Sequence, residues 1–300
     1  MMTLYTLFSS IVKSFALVLL VFAITTIYTT DASPINRRQN PAPEADIREF
    51  KLWAQFASAA YCDVTDWKCG DACEGDTDGT RLIKFFQHSS PRDNNGYVAI
   101  NDKEKAIIVA YRGTADIQSF IQDFQFIQSP FPPALNAKVH SGFFATYNDT
   151  KKEITSLVEK LVKENPTYKV ISTGHSLGGS LAVFQTLDLI GTPGLNPSNL
   201  FTYTYGEPRI GNKDFAQFVM NSGHKFFRVV NKDDLVPHLP PRELDYIHYG
   251  PEFWINPNND VVVCQNAEDN RCSNSLHSKS LLRHAKYFDT VFLLTCLLKK

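Results

Sequence analysis

STGHSLGGS, residues 172–180, is the stretch on which the reading of this chain turns. It sets Ser176 between Gly174 and Gly178 and joins two segments of different character. Upstream, YKVIST at 168–173 is a short apolar run that predicts a buried strand. Downstream, LGGSLAVFQTLDLI at 177–190 predicts a helix that stops at Gly191. A strand running straight into G-x-S-x-G and then a helix predicts a sharp turn with the serine hydroxyl standing clear of the sheet edge. Gly174 and Gly178 omit the side chains that would collide in such a turn. The helix start would aim its free N–H groups and positive dipole end at the space beside the serine. The alternative is an incidental serine in a glycine-rich loop, which the flanking strand and helix disfavour.

Outward from that turn, DIREFKLWAQFASAA at 46–60 has helical spacing after a possible Asp46 cap, and 142–165 suits one helix ended by Asn165-Pro166. YVAI at 97–100 and AIIVAY at 106–111 read as a hairpin, while LFTYT at 200–204 and KFFRVV at 225–230 read as core strands around a helix near 213–220. Strands alternating with helices predict an α/β fold with a mostly parallel central sheet flanked by helices. No proline-rich linker divides residues 46–300, so this part reads as one domain. A chain of 300 residues, 43% of them hydrophobic, can bury a sizeable core. The net charge of −1, without long basic or acidic runs, argues against a nucleic-acid partner.

The first residues read as an export segment. SFALVLLVFAITTIY at 14–28 follows Lys13 and precedes TTDAS, which gives the layout of a signal peptide over residues 1–32 with Thr30 and Ala32 near the cleavage point. The run falls short of the ~20 residues a membrane span needs; an uncleaved anchor is the alternative. Arg37-Arg38 lies in SPINRRQNPAP, which suits a short propeptide at 33–38 removed at a dibasic site, the other reading being an exposed linker. Residues 39–300 then form the mature domain, secreted and extracellular. Six cysteines behind an export signal argue for three disulfides, with the pairing left open by spacing alone. Zinc fits poorly, since no CxxC or HExxH is present. Asn148-Asp149-Thr150 is a candidate glycosylation sequon.

A nucleophilic serine needs a histidine to take its proton and a carboxylate to hold that histidine in the right tautomer. In the chain order that goes with this turn, acid and histidine follow the serine. NKDDLVPH at 231–238, just past the KFFRVV strand, offers Asp233 and Asp234; His277 and His284 are the candidate bases farther on. His175 and His140 read as packed structural residues. The residues leave two acids and two bases open.

The segments AAYC (59–62), AYRGT (110–114), KVHSGF (138–143), GHSLGG (174–179), YGEPRIG (205–211), RVVNKDDLVPHLPP (228–241) and HAKYF (284–288), in that order, resemble the fungal class 3 triacylglycerol lipases. The resemblance runs over roughly residues 46–298. It implies an α/β-hydrolase fold with a short helical lid, a serine acyl-enzyme mechanism, and no metal or organic cofactor. It implies Asp234 as the acid, because it stands before Leu235-Val236-Pro237, and His284 as the base. It implies Thr114 and Leu177 as the oxyanion donors, threonine standing where many members have serine. It also implies the bridges Cys62–Cys296, Cys69–Cys73 and Cys264–Cys272. Ile117, Phe120, Ile121 and Phe124 fall at i, i+3, i+4 and i+7, an apolar stripe on a short helix directly after the oxyanion residue. Baring four such side chains to water would cost about 6–12 kcal/mol. That favours a lid which opens at a lipid–water interface, with a lipid ester as substrate and no stable protein partner. The expected activity is hydrolysis of triacylglycerols; a feruloyl-type esterase on the same fold and a catalytically silent secreted lipid-binding protein are the alternatives.

Overall fold

The computed structural model describes residues 40–88, 94–122, 125–292 and 296. The export segment and propeptide expected over residues 1–38 lie outside the described residues. In chain order the main elements are β1 (Asn40–Pro41), α1 (Glu44–Ala59), β2 (Arg81–His88), β3 (Asn94–Asn101), β4 (Ala106–Tyr111), α2 (Ile117–Gln122), β5 (Gln128–Pro130), β6 (Lys138–His140), α3 (Ser141–Asn148) and α4 (Lys151–Glu164). There follow β7 (Lys169–His175), α5 (Leu177–Leu189), β8 (Leu200–Tyr205), α6 (Lys213–Asn221), β9 (Lys225–Asn231), β10 (Glu252–Ile255) and β11 (Val261–Cys264).

Nine strands form one sheet in the order β1-β11-β10-β9-β8-β7-β4-β3-β2. The centre, β4-β7-β8-β9-β10, is parallel, and antiparallel strands finish both edges. The α/β fold read from the sequence is the fold of the chain. β2, β10 and β11 go beyond what periodicity assigned: β2 is a partly exposed edge strand, and the other two are four residues long. Windows so short carry little periodic signal.

Helices cover both faces because both faces of a parallel sheet must be kept from water. On one side Phe50, Trp53 and Phe56 of α1 are fully buried, Phe50 against Tyr203, Phe227 and Phe253, Trp53 against Tyr203, and Phe56 against Trp53 and Trp67. Each such ring stabilises by about 1.5–3 kcal/mol. On the other side α4 docks through Ile154, Val158, Leu161 and Val162, while α5 is buried nearly all round.

Two helix boundaries differ from the sequence reading. α1 starts at Glu44 behind Pro43, so Asp46 is no cap; it sits in the first turn, where its charge suits the helix dipole. The single helix expected over 142–165 is two, α3 and α4, broken at Asp149-Thr150. The amide of Asn94, from β3, donates to the Thr146 carbonyl at 2.6 Å and to the Thr150 hydroxyl at 3.1 Å. A side chain from the sheet thus occupies the Thr146 carbonyl that the Thr150 N–H would reach in a continuous helix, and the Thr150 N–H donates to the Tyr147 carbonyl instead. The sulfurs of Cys62 and Cys296, Cys69 and Cys73, and Cys264 and Cys272 are bonded. The first of these ties positions 234 residues apart, a loop closure worth about 5 kcal/mol in the chain-entropy account.

Candidate active site

The register aligns Tyr111 of β4 with Gly174 of β7, and His175 of β7 with Tyr205 of β8. The carboxyl ends of these strands therefore finish side by side, at the edge where ligands of α/β sheets gather.

Ser176 stands between β7 and α5 with φ +58° and ψ −131°, a conformation that side-chain-bearing residues avoid. Such a backbone costs about 1–3 kcal/mol and persists only when its surroundings hold it. Here the Ser176 N–H donates to the Tyr205 carbonyl at 2.9 Å, and the Gly179 N–H donates to the Ser176 carbonyl at 3.0 Å. The turn is so tight that a Cβ on Gly178 would lie 2.2 Å from the Tyr111 carbonyl oxygen. The Ser176 Oγ is buried and makes no hydrogen bond.

Asp234 lies in the turn after β9 and is fully buried. One carboxylate oxygen accepts from the Val236 N–H at 3.0 Å; the other accepts from the Tyr287 hydroxyl and faces Nδ1 of His284 at 2.8 Å. Because a carboxylate only accepts, Nδ1 carries the proton and Nε2 of the neutral ring is bare. That Nε2 is buried and without a hydrogen-bond partner, as the Ser176 Oγ is. A donor hydroxyl and an acceptor nitrogen, both desolvated and both unpaired, are unusual in a folded interior. The His284 ring packs on Gly206, where a Cβ would come within 2.7 Å of it, and Gly206 follows the Tyr205 whose carbonyl holds Ser176. The loop of Asp234 is fastened to the segment of His284: Ser280 N–H donates to the Asp233 carbonyl at 2.8 Å, and the Asn231 amide donates to the carbonyls of Arg283 and Lys286.

The competing candidates lie elsewhere. Asp233 pairs with Arg283 at 3.3 Å rather than standing free in solvent, and His277 is exposed. His140 caps α3, its Nδ1 accepting from the Phe143 N–H at 3.2 Å. Burial pushes the His140 imidazole down to about 4. Tyr287 and Tyr61, which touch this centre, carried no signal of their own; each lies inside a quoted segment, HAKYF and AAYC.

Leu177 opens α5, so its N–H belongs to the helical turn that has no intrahelical acceptor. Thr114 is half-buried and follows Gly113, where a Cβ would sit 3.0 Å from that of Ser176. α2 begins three residues later, capped by Asp116, which accepts from the Ser119 N–H at 3.0 Å and its hydroxyl at 2.7 Å. Ile117 and Ile121 are half-buried; the Phe120 side chain and Phe124 lie outside the described residues.

Two buried charge clusters brace the loops behind the centre. Arg209 grips Glu268 with two bonds of 2.6 and 2.9 Å and donates to the carbonyls of His238 and Pro240. Burial by itself would raise the Glu268 carboxyl, but hydrogen bonds from Arg209 and nearby His248 hold it far below the ordinary range. Farther in, Arg228 meets Glu252 at 3.0 Å, and Glu207 accepts from the Tyr249 hydroxyl at 2.7 Å. Burial raises Glu207 to about 7, against the pull of Arg228. Among the described residues no group of His, Cys, Asp and Glu could hold a metal ion, and no helix is long and apolar enough to cross a membrane. Chemically, an unpaired serine hydroxyl on a strained turn and an imidazole oriented by a carboxylate are the parts that acyl transfer through a covalent intermediate needs.

Comparison with known proteins gives the same direction. The family described as Lipase (class 3) matches residues 108–244. The lipase of Rhizopus oryzae is 40% identical over 256 residues, covering 83% of this chain and 65% of that protein, so the chain spans just under two thirds of this relative's length. The secreted mono- and diacylglycerol lipase 1 of Fusarium solani is 31% identical over 260 residues, 82% of this chain and 77% of that one. The solved structure of the Rhizomucor miehei triacylglyceride lipase superposes with a TM-score of 0.81 at 36% identity, covering 85% of this chain and 99% of that one.

Proposed function

The chain belongs to the class 3 lipase family, and on that premise we propose that it is a secreted serine hydrolase that cleaves triacylglycerols to fatty acids and partial glycerides. The observation carrying this is a strained Ser176 with a buried, unpaired Oγ, together with a His284 whose Nε2 is equally unpaired and whose Nδ1 is held by Asp234. His284 takes the Ser176 proton as the hydroxyl attacks the ester carbonyl. The amides of Thr114 and Leu177 hold the oxyanion, each such donor being worth about 3–4 kcal/mol in the transition state. The alcohol leaves with the proton from His284; water, deprotonated by the same ring, then releases the fatty acid and frees Ser176. Asp234 keeps Nε2 as the acceptor and steadies the imidazolium that forms in each half.

Substrate class rests on the apolar stripe of Ile117, Phe120, Ile121 and Phe124, which suits a lid that opens where the stripe can be buried in lipid. Removal of residues 1–32 and 33–38 and glycosylation at Asn148, an exposed residue closing α3, complete the reading. The test is hydrolysis of emulsified tributyrin and triolein by the secreted protein, with labelling by an organophosphonate ester. Ser176→Ala should abolish both. A protein that is neither labelled nor active is a binding protein; one that prefers a soluble feruloyl ester to emulsified fat is an esterase of another specificity.

A further inference from the structure

His175, next to the proposed nucleophile, spends both ring nitrogens on fixed partners. Nε2 lies 2.8 Å from the backbone carbonyl of His284, and Nδ1 lies 2.8 Å from the hydroxyl of Tyr61. A carbonyl can only accept, so Nε2 carries the proton; Nδ1 is then bare, and the Tyr61 hydroxyl donates to it. The two contacts together select one neutral tautomer. One face of the ring stacks on Phe292, with centroids 4.0 Å apart and planes at 11°, and the His284 ring lies 4.2 Å away. His175 thus touches His284 at its backbone and at its ring.

The partner needs such support. His284 sits in a five-residue 3-10 segment, Leu281–Ala285, not in a helix or central strand that would fix its carbonyl by regular hydrogen bonds. We propose that His175 is a positioning residue: a neutral strut, locked by Tyr61, that sets the backbone and ring of His284 so that Nε2 meets the Ser176 hydroxyl. This rests on the reading of Ser176 and His284 as nucleophile and base. It implies that loss of the strut slows attack and leaves ester binding intact, since both ring nitrogens of His175 are taken by Tyr61 and the His284 carbonyl and none is left for substrate. Burial, and then the neighbouring His284, push the His175 imidazole well below its ordinary range, so the strut stays neutral in acid. Tyr61, His284 and Tyr287 are the titratable groups packed on it, and Arg112 places a positive charge near Tyr61.

Three variants test it in the full-length secreted protein: His175→Phe keeps bulk without a donor, His175→Gln restores a side-chain N–H, and Tyr61→Phe removes only the lock. The readouts are kcat and KM on a soluble ester, the phosphonylation rate of Ser176, thermal unfolding, and imidazole nitrogen NMR. Expected for His175→Phe is a drop of roughly 100-fold in kcat and in labelling rate at unchanged KM, the scale of an ångström-sized misplacement. His175→Gln should recover about tenfold of that, and Tyr61→Phe should lower kcat by about tenfold. NMR should show His175 protonated at Nε2 alone, even in mildly acidic solution. Melting temperatures that fall while turnover per folded molecule and labelling rate hold would overturn the proposal, as would an Nδ1-protonated tautomer. Should His175→Phe fail to fold, Tyr61→Phe and the NMR measurement decide alone. A wild-type protein that resists phosphonylation would instead sink the reading of Ser176, a separate outcome.

Discussion

Nδ1 of His284 lies 2.8 Å from a carboxylate oxygen of Asp234, with both side chains out of reach of solvent. In water such a pair would exchange partners freely; here the second oxygen of Asp234 is engaged by the Val236 amide and the first is shared with Tyr287, so the ring has one orientation. The contacts therefore fix both the orientation and the tautomer of the His284 ring.

Asp234→Asn keeps the shape and presents an amide that can donate to the ring, which favours the wrong tautomer of His284. Activity on a soluble ester should fall by about 10⁴-fold with little change in KM. The check is steady-state kinetics alongside labelling of Ser176; an Asn variant within tenfold of wild type would mean that Asp234 is not the orienting acid.

The lid reading predicts a split between substrates. Ile117→Gln with Ile121→Gln removes half of the apolar stripe and should lower hydrolysis of emulsified tributyrin by roughly tenfold, an energy of about 1.4 kcal/mol. Hydrolysis of the same ester below its solubility limit should change little. Equal losses on both would show that α2 is a fixed part of the wall.

Arg209 and Glu268 are nearly solvent-free and doubly bonded, and Arg209 also pins the carbonyls of His238 and Pro240 just past the Asp234 turn. Removing one partner strands a buried charge, so Arg209→Met should destabilise by about 3–5 kcal/mol in denaturant unfolding. The linkage sign for Glu268 follows from its depressed folded value: its contribution is present above the unfolded value of 4.5 and is lost as pH falls below it. A variant as stable as wild type near neutrality would show that the pair contributes no net stability.

Glu207 has the opposite sign. Its carboxyl is raised from 4.5 to about 7 by burial, so the folded state holds its proton more tightly than the unfolded chain does. Stability from this group is present at acid pH and declines as pH rises from 4.5 to about 7. Glu207→Gln should flatten that decline and raise the melting temperature at neutral pH by a few degrees relative to wild type, on the scale of about 4 °C per kcal/mol or less for a domain of this size. Parallel melting curves of wild type and variant across that range would remove Glu207 as the source.

How much of this was legible beforehand differs from residue to residue. Strand, turn and helix around Ser176 could be read because an apolar run, paired glycines and a helical pattern are local, and the fold class followed from their alternation. The break at Asp149-Thr150 could not, because its cause is Asn94, some fifty residues away in sequence and in contact only once β3 is in place. The residues also left Asp233 open beside Asp234 and His277 beside His284; resemblance chose between them. In the structure Asp233 is drawn off by Arg283 and His277 stands in solvent, differences of environment that neither sequence neighbourhood encodes.

The sequence by itself therefore determined the alternation of the central strands and helices and the tight bend that carries Ser176, since these arise from interactions among near neighbours along the chain. Only the tertiary structure decided which acid meets which histidine, that Tyr61 and His175 reach the backbone of His284, and which buried charges find partners. Those facts depend on distances between segments up to more than a hundred residues apart, and such distances exist only after the sheet has brought its strand ends together.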